Sequence, residues 1–230
     1  MKKTTKRSLL SLLLLLAAAL PGHAGTAPEG VEAVDLGLPS GTKWANMNVG
    51  ATTAWHYGLY FAWGETVGYG SDTSDGRFFD WASYKWCNGS SSTMTKYCTS
   101  SSYGIVDNKT VLDLEDDAAH VNWGGDWRMP TIAEIQELLD NTTHEWTSVY
   151  GVKGRRFTSK NNGNSIFLPA AGCRLLSRLG RQGVDGVYWS SSLDESNPYR
   201  ARYLYFLSED ADTGNNRRLL GFTVRPVLRN

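Results

Sequence analysis

The chain is poor in the residues that build metal centres. Its three cysteines and four histidines include no Cys-His pair and no His-x-x-x-His spacing, and His120 and His144 stand alone, so no metal site is read from them. Charge of one sign is missing too. Basic and acidic residues number 23 each, which leaves nothing to suggest nucleic acid or an anionic membrane as a general partner. Nor is there an apolar run long enough to span a bilayer, which takes about 20 residues; the run from Leu9 to Leu20 falls short.

That run is preceded by Lys2, Lys3, Lys6 and Arg7 and followed by the small residues of Gly22-His23-Ala24. This is the pattern of a secretory leader, residues 1–24, cleaved after Ala24. No cysteine near the cleavage point offers a lipid anchor. Removal of the leader leaves 19 basic against 23 acidic residues. The mature chain is long enough for one sizeable domain, expected at 31–230 after a short linker at 25–30. Abundant Trp, Tyr and Gly suit a loop-rich fold held by aromatic packing better than a helical bundle.

Val31 to Trp44 reads as two short strands around a turn at Pro39-Ser40-Gly41. Tyr60, Phe61 and Trp63, set between glycines, are expected in the core, with stacking on a sugar ring as the lesser alternative. From Val67 to Ser102 the composition turns to Gly, Ser, Thr, Asp and aromatics, the mark of a long surface excursion. Cys87 and Cys98 bracket a turn-rich segment there, and a disulfide stapling the loop is one reading. Free thiols are the other, since the cysteine count is odd.

Asp113, Glu115, Asp116 and Asp117 form the one dense acidic run. It lacks the spaced Asp-x-Asp-x-Asp-Gly pattern of a calcium loop and reads as a solvated helix start. The clearest helix follows, where Ile132, Ile135, Leu138 and Leu139 fall on one face. Thr131 is placed to cap it, with Glu134 completing a capping box.

The last third, Gly172 to Val227, mixes two kinds of position. Tyr188-Trp189-Ser190-Ser191-Ser192, Ala201, Leu204, Phe206, Gly221 and Val224-Arg225-Pro226-Val227 look like framework. Between them lie residues of no consistent chemistry. In the segment 202–207 the alternation is that of a strand, with Leu204 and Phe206 on one face and Tyr203, Tyr205 and Leu207 on the other.

Several ordered motifs carry a resemblance. They are Val34 to Ala45, Gly125 to Glu134, Phe167 to Gly172, Tyr188 to Ser192 and Gly221 to Val227. Together they resemble the C-type lectin fold in its formylglycine-generating-enzyme-like branch, and the exported bacterial proteins called the Fibrobacter succinogenes major paralogous domain. The resemblance implies an α+β, loop-rich C-type lectin-like fold of short mixed or antiparallel strands with one or two amphipathic helices. The last third further resembles the variable region of proteins diversified by a retroelement, in which Asn codons of a template are mutated at adenines. Such mutation yields Tyr, Arg, Leu, Asp, Val or Ser but not Lys, Met, Trp, Gln or Glu. No Lys follows Lys160, and the one later Trp is the framework Trp189.

On that resemblance the candidate ligand-binding positions are Cys173, Leu175, Arg178, Arg181, Asp185 and Val187, then Tyr199, Arg200, Arg202, Tyr203, Tyr205 and Leu207, and finally Arg218, Leu219 and Leu220. Tyr and Arg are the residues most enriched at binding hot spots. The expected function is that of an exported, non-catalytic receptor or adhesin-like protein, without metal or other cofactor, whose partner is a protein or a surface glycan. An undiversified structural subunit of the same fold is the alternative. A sulfatase-modifying type of enzyme would need paired cysteines near the C-terminal end, where Cys173 stands alone. The calcium motifs Glu-Pro-Asn and Gln-Pro-Asp of sugar-binding C-type lectins are missing, and Asn197-Pro198 is only a fragment of one.

Overall fold

A computed structural model describes residues 25–228; the expected leader lies outside the described residues. The chain is mostly β, with two short helices and several small antiparallel sheets joined by long loops. Among the described residues no helix is long and apolar enough to cross a membrane.

Strands β1 (Ala33–Val34) and β2 (Lys43–Ala45) pair antiparallel around the turn at Pro39-Ser40, which the Gly41 amide closes on the Leu38 carbonyl at 2.9 Å. The residues expected to form a linker are tied down, since the Gly25 amide donates to Val121 O. Helix α1 (Ala118–Trp123) is capped by the Asp117 carboxylate, which accepts from the Ala119 and His120 amides. After β3 (Trp127–Arg128) comes α2 (Ile132–Asn141), where the capping box forms as expected: Thr131 Oγ1 accepts from the Glu134 amide, and the Glu134 carboxylate accepts from the Thr131 amide at 2.8 Å. Ile135 and Leu138 are its buried face.

A three-stranded sheet follows, β4 (Thr142–Val149), β5 (Val152–Ser159) and β6 (Ser165–Pro169). Its first hairpin turns at Tyr150-Gly151, both at positive φ, the backbone that matches the twist of the flanking strands. The ribbon β7 (Cys173–Leu175) with β8 (Arg178–Gly180) leads to the second three-stranded sheet, in the order β11-β10-β9: β9 (Gly186–Leu193), β10 (Arg200–Phe206) and β11 (Ala211–Arg217). Strand β12 (Val227–Leu228) lies between β2 and β3, so the two ends of the described chain share one sheet.

The β9 strand separates two apolar cores. Tyr188 packs with Leu204, Phe206, Ile135 and Leu138 on one side; Trp189 packs with Phe61, Phe222 and Leu219 on the other. Trp189 stacks on Phe222 at 4.2 Å between ring centroids, and its indole N–H donates to Phe61 O at 2.9 Å. Full burial of each such side chain is worth roughly 1.5–3 kcal/mol.

The motifs that stood out in the sequence are bonded to one another. Trp63 Nε1 donates to Ser190 O, the Ser191 amide to Pro130 O, and the Ile132 amide to Ser192 Oγ. Arg225, fully buried, donates to Asn48 Oδ1 at 2.8 Å, Ala45 O at 3.0 Å and Phe167 O at 2.9 Å, joining three separate segments. Tyr60, Phe61 and Trp63 are in the core as expected.

Two expectations for the middle of the chain need correction. The stretch 67–102 is not a surface excursion: Phe79, Tyr84, Met94, Tyr97 and Cys98 are buried in the core containing Trp189. Its backbone is irregular, so no periodicity marks the buried positions. Nor do Cys87 and Cys98 form a disulfide; both are free, with Cys87 Sγ donating to Trp81 O at 3.2 Å and Cys98 Sγ to Ser100 O at 3.1 Å.

Candidate ligand-binding surface

Strand β10 carries the alternation read from the sequence. Leu204 and Phe206 are buried, while Arg202, Tyr203 and Tyr205 are half-buried. Register with β11 sets Arg200 opposite Arg217, Arg202 opposite Asn215 and Tyr205 opposite Asp212; register with β9 sets Tyr205 opposite Val187. One face of the sheet therefore presents Val187, Tyr203 and Tyr205, and the other carries Arg200, Arg202, Asn215 and Arg217 beyond its apolar half. Leu207, just past the strand, is half-buried, its carbonyl accepting from Arg155 at 3.1 Å.

The first group of candidates gathers around Cys173. The Gly172 amide donates to Asp185 O, and Arg181 forms an ion pair with Asp185. Gly172 sits at φ 65° with the Gly180 carbonyl pressed so close that a Cβ has no room. Burial raises the Cys173 thiol pKa, Asp185 adds to the rise, and Arg181 opposes it. A thiol kept protonated is a weak nucleophile. Burial likewise raises the Tyr203 phenol. Leu175 and Arg178 close the neighbouring β7–β8 hairpin and are exposed, as is Leu176, held at φ 54°.

The second group lies at the other end of β10. Tyr199 faces Tyr103 at 5.4 Å and Trp81 at 6.5 Å between ring centroids, and Arg200 lies over the Tyr199 ring at 5.4 Å. With Ser91 and Arg217 these rings line an open cleft of about 440 Å³. Trp81 and Ser91 come from the stretch expected to be a surface excursion, Tyr103 lies just past its end, and Arg217 was not among the candidates. The aromatic density of residues 78–103 was the available signal.

Three candidates belong to the core and are withdrawn as surface positions. Arg218, Leu219 and Leu220 are buried. Arg218 donates from Nε to Tyr84 Oη at 2.8 Å, from Nη1 to Tyr97 O and Pro198 O, and from Nη2 to Lys96 O. Its amide also donates to Tyr199 O, so this arginine anchors the segment that presents Tyr199.

Two other features are accounted for internally. Asp113, Glu115 and Asp116 converge, and the Lys96 ammonium sits among them at 2.7, 3.2 and 2.6 Å; Tyr97 Oη also donates to the buried Asp116. The run is thus an ion-pair network; the expected helix start is there, capped by Asp117, but Asp116 and Asp117 are buried and not solvated. A second cleft, of about 430 Å³, runs beside α2, but its charged groups are engaged: Glu134 pairs with Arg128, and Asp117 accepts from the Ala119, His120 and Met129 amides. Comparison with known proteins finds no matching family, no matching curated protein and no matching solved structure.

Proposed function

We propose that this chain is an exported, non-catalytic ligand-binding protein of receptor or adhesin type, a C-type lectin-like scaffold whose C-terminal surface is diversified by a retroelement and engages a protein or glycan. The observation that carries the reading is the division of labour along β9 and β10. Tyr188, Trp189, Leu204 and Phe206 are buried, while Val187, Tyr199, Arg200, Arg202, Tyr203 and Tyr205 keep part of their surface in solvent. Side chains of the second kind can change without dismantling the core. Their Tyr and Arg content suits contact with a ligand. The protonated, half-buried Cys173 thiol supports binding over thiol chemistry.

Burial of Arg218, Leu219 and Leu220 narrows the reading, because mutation there would disturb packing. The variable set is accordingly Cys173 to Leu207 at the positions named above. The test is to sequence the DNA flanking the gene. A near-repeat of the codons from Gly172 onward, differing at adenines in the variable set and lying beside a reverse transcriptase, is the expected result. Near-identical gene copies with substitutions spread evenly over the surface, and no such repeat, would instead point to an undiversified structural subunit.

A further inference from the structure

We infer that the cleft between Trp81, Tyr103, Tyr199 and Arg217 binds a saccharide that carries a carboxylate; this deepens the binding reading above and rests on it. The first argument is electrostatic. Arg200 and Arg217 are direct cross-strand partners, and Arg202 lies on the same face two residues along. Like charges set opposite each other across a sheet repel. Four other arginines, Arg77, Arg128, Arg174 and Arg181, each hold a carboxylate, and the buried Arg155, Arg218 and Arg225 give donors to backbone carbonyls. Among the described residues, none of the three arginines at this rim has an acidic partner. Arg200 donates only to the neutral Asn215 Oδ1 at 2.9 Å, and the Nε atoms of Arg200 and Arg202 are buried with no acceptor. A guanidinium pair without counter-charge fits the planar fork of a carboxylate.

The second argument is shape. A cleft of about 440 Å³ falls in the range of about 300–1,000 Å³ typical of small-ligand sites, and it is concave where a protein partner would meet a broad face. Its walls combine the aromatic Trp81, Tyr103 and Tyr199 with the polar Ser91 and Arg217. The negative face of an aromatic ring attracts the electropositive C–H face of a pyranose, and Ser91 is placed to bond hydroxyls. Arg218 fixes the geometry by holding Pro198 O and Tyr199 O.

The experiment is calorimetric titration of the mature protein with trigalacturonate, sialyllactose and a hyaluronan tetrasaccharide, beside lactose, a sulfated disaccharide and a short polyglutamate. At least one of the carboxylated saccharides is expected to bind, and the neutral and sulfated sugars to bind ten-fold more weakly or less. Arg217→Ala and Tyr199→Ala should each weaken the binding ten-fold or more, whereas Tyr150→Ala, in the exposed β4–β5 turn outside the lining of the cleft, should leave it unchanged. Unaltered melting temperatures would show that Arg217→Ala, at an exposed position, acts on the cleft and not on the fold. Equal binding of lactose, tighter binding of polyglutamate, indifference to Arg217→Ala, or no binding of any carboxylated saccharide overturns the inference. The two readings fail separately: a template repeat without saccharide binding leaves the diversified receptor standing, and saccharide binding without a repeat removes only the diversification.

Discussion

Arg217 and Arg218 are neighbours in sequence and opposites in situation, and the regions they belong to differ in the same way. Arg217 borders the cleft beside the Tyr199 ring, stands opposite Arg200 across two strands with Arg202 two residues along, and none of these three arginines forms an ion pair among the described residues. One residue further on, the Arg218 guanidinium is enclosed. The Tyr84 hydroxyl and three backbone carbonyls take up its donors, and it lies over the Trp63 ring at 4.8 Å and the Tyr84 ring at 5.3 Å. Burying a charge is costly unless every donor finds an acceptor. The pair teaches that residue type says little about role here; the supply of acceptors around the side chain decides it.

The strongest way to break this contrast is to truncate both arginines. Arg218→Ala should remove about 3–5 kcal/mol of stability, since it opens a cavity and strands several buried acceptors. Arg217→Ala should stay within about 0.5 kcal/mol, as surface substitutions do. Denaturant midpoints measure both, and a tolerated Arg218→Ala would sink the account of that residue as a core anchor.

A second test contrasts the unpartnered rim with the partnered carboxylate at the start of α2. Burial works against ionisation of Glu134, but the Arg128 guanidinium and the Thr131 amide outweigh it and hold the carboxyl pKa at about 2. A carboxyl whose folded pKa lies below its ordinary value stabilises fully above that ordinary value, near 4.5, and loses the contribution as pH falls through about 2. Glu134→Gln should lower stability by about 1–2 kcal/mol at neutral pH and flatten the acid limb of the stability profile. An unchanged limb would show that the pair contributes nothing.

The smallest effect concerns the thiols. Alkylation of the unfolded protein without reductant, followed by mass measurement, should modify Cys87, Cys98 and Cys173, all of them free. Reductant should then leave the melting temperature unchanged. A mass two hydrogens short, with a pair of cysteines protected, would restore the staple that the sequence had suggested.

Local signals were the legible ones. Helix α2 was readable because a capping box and a 3.6-residue period both lie within a dozen residues, and the alternation in β10 because neighbours on a strand point to opposite faces. The turn at Pro39-Ser40-Gly41 was readable for a similar reason. The cleft was not, because its walls come from Trp81, Ser91, Tyr103, Tyr199 and Arg217, which converge only through tertiary packing. The burial of Phe79, Tyr84 and Tyr97 escaped notice as well, since an irregular backbone imposes no period on the side chains it buries.

By itself the sequence determined the capped helix, the aromatic core around Tyr60 to Trp63, and the split between framework and intervening positions on β10, all consequences of backbone geometry acting over a few residues. Only the tertiary structure decided that Arg218 belongs to the core while Arg217 borders a cleft. It also decided that the two thiols stay apart and that the acidic run closes around Lys96. The physical reason is common to all three: each depends on which donors, acceptors and charges distant segments bring within about 3 Å of one another, and no local pattern encodes that meeting.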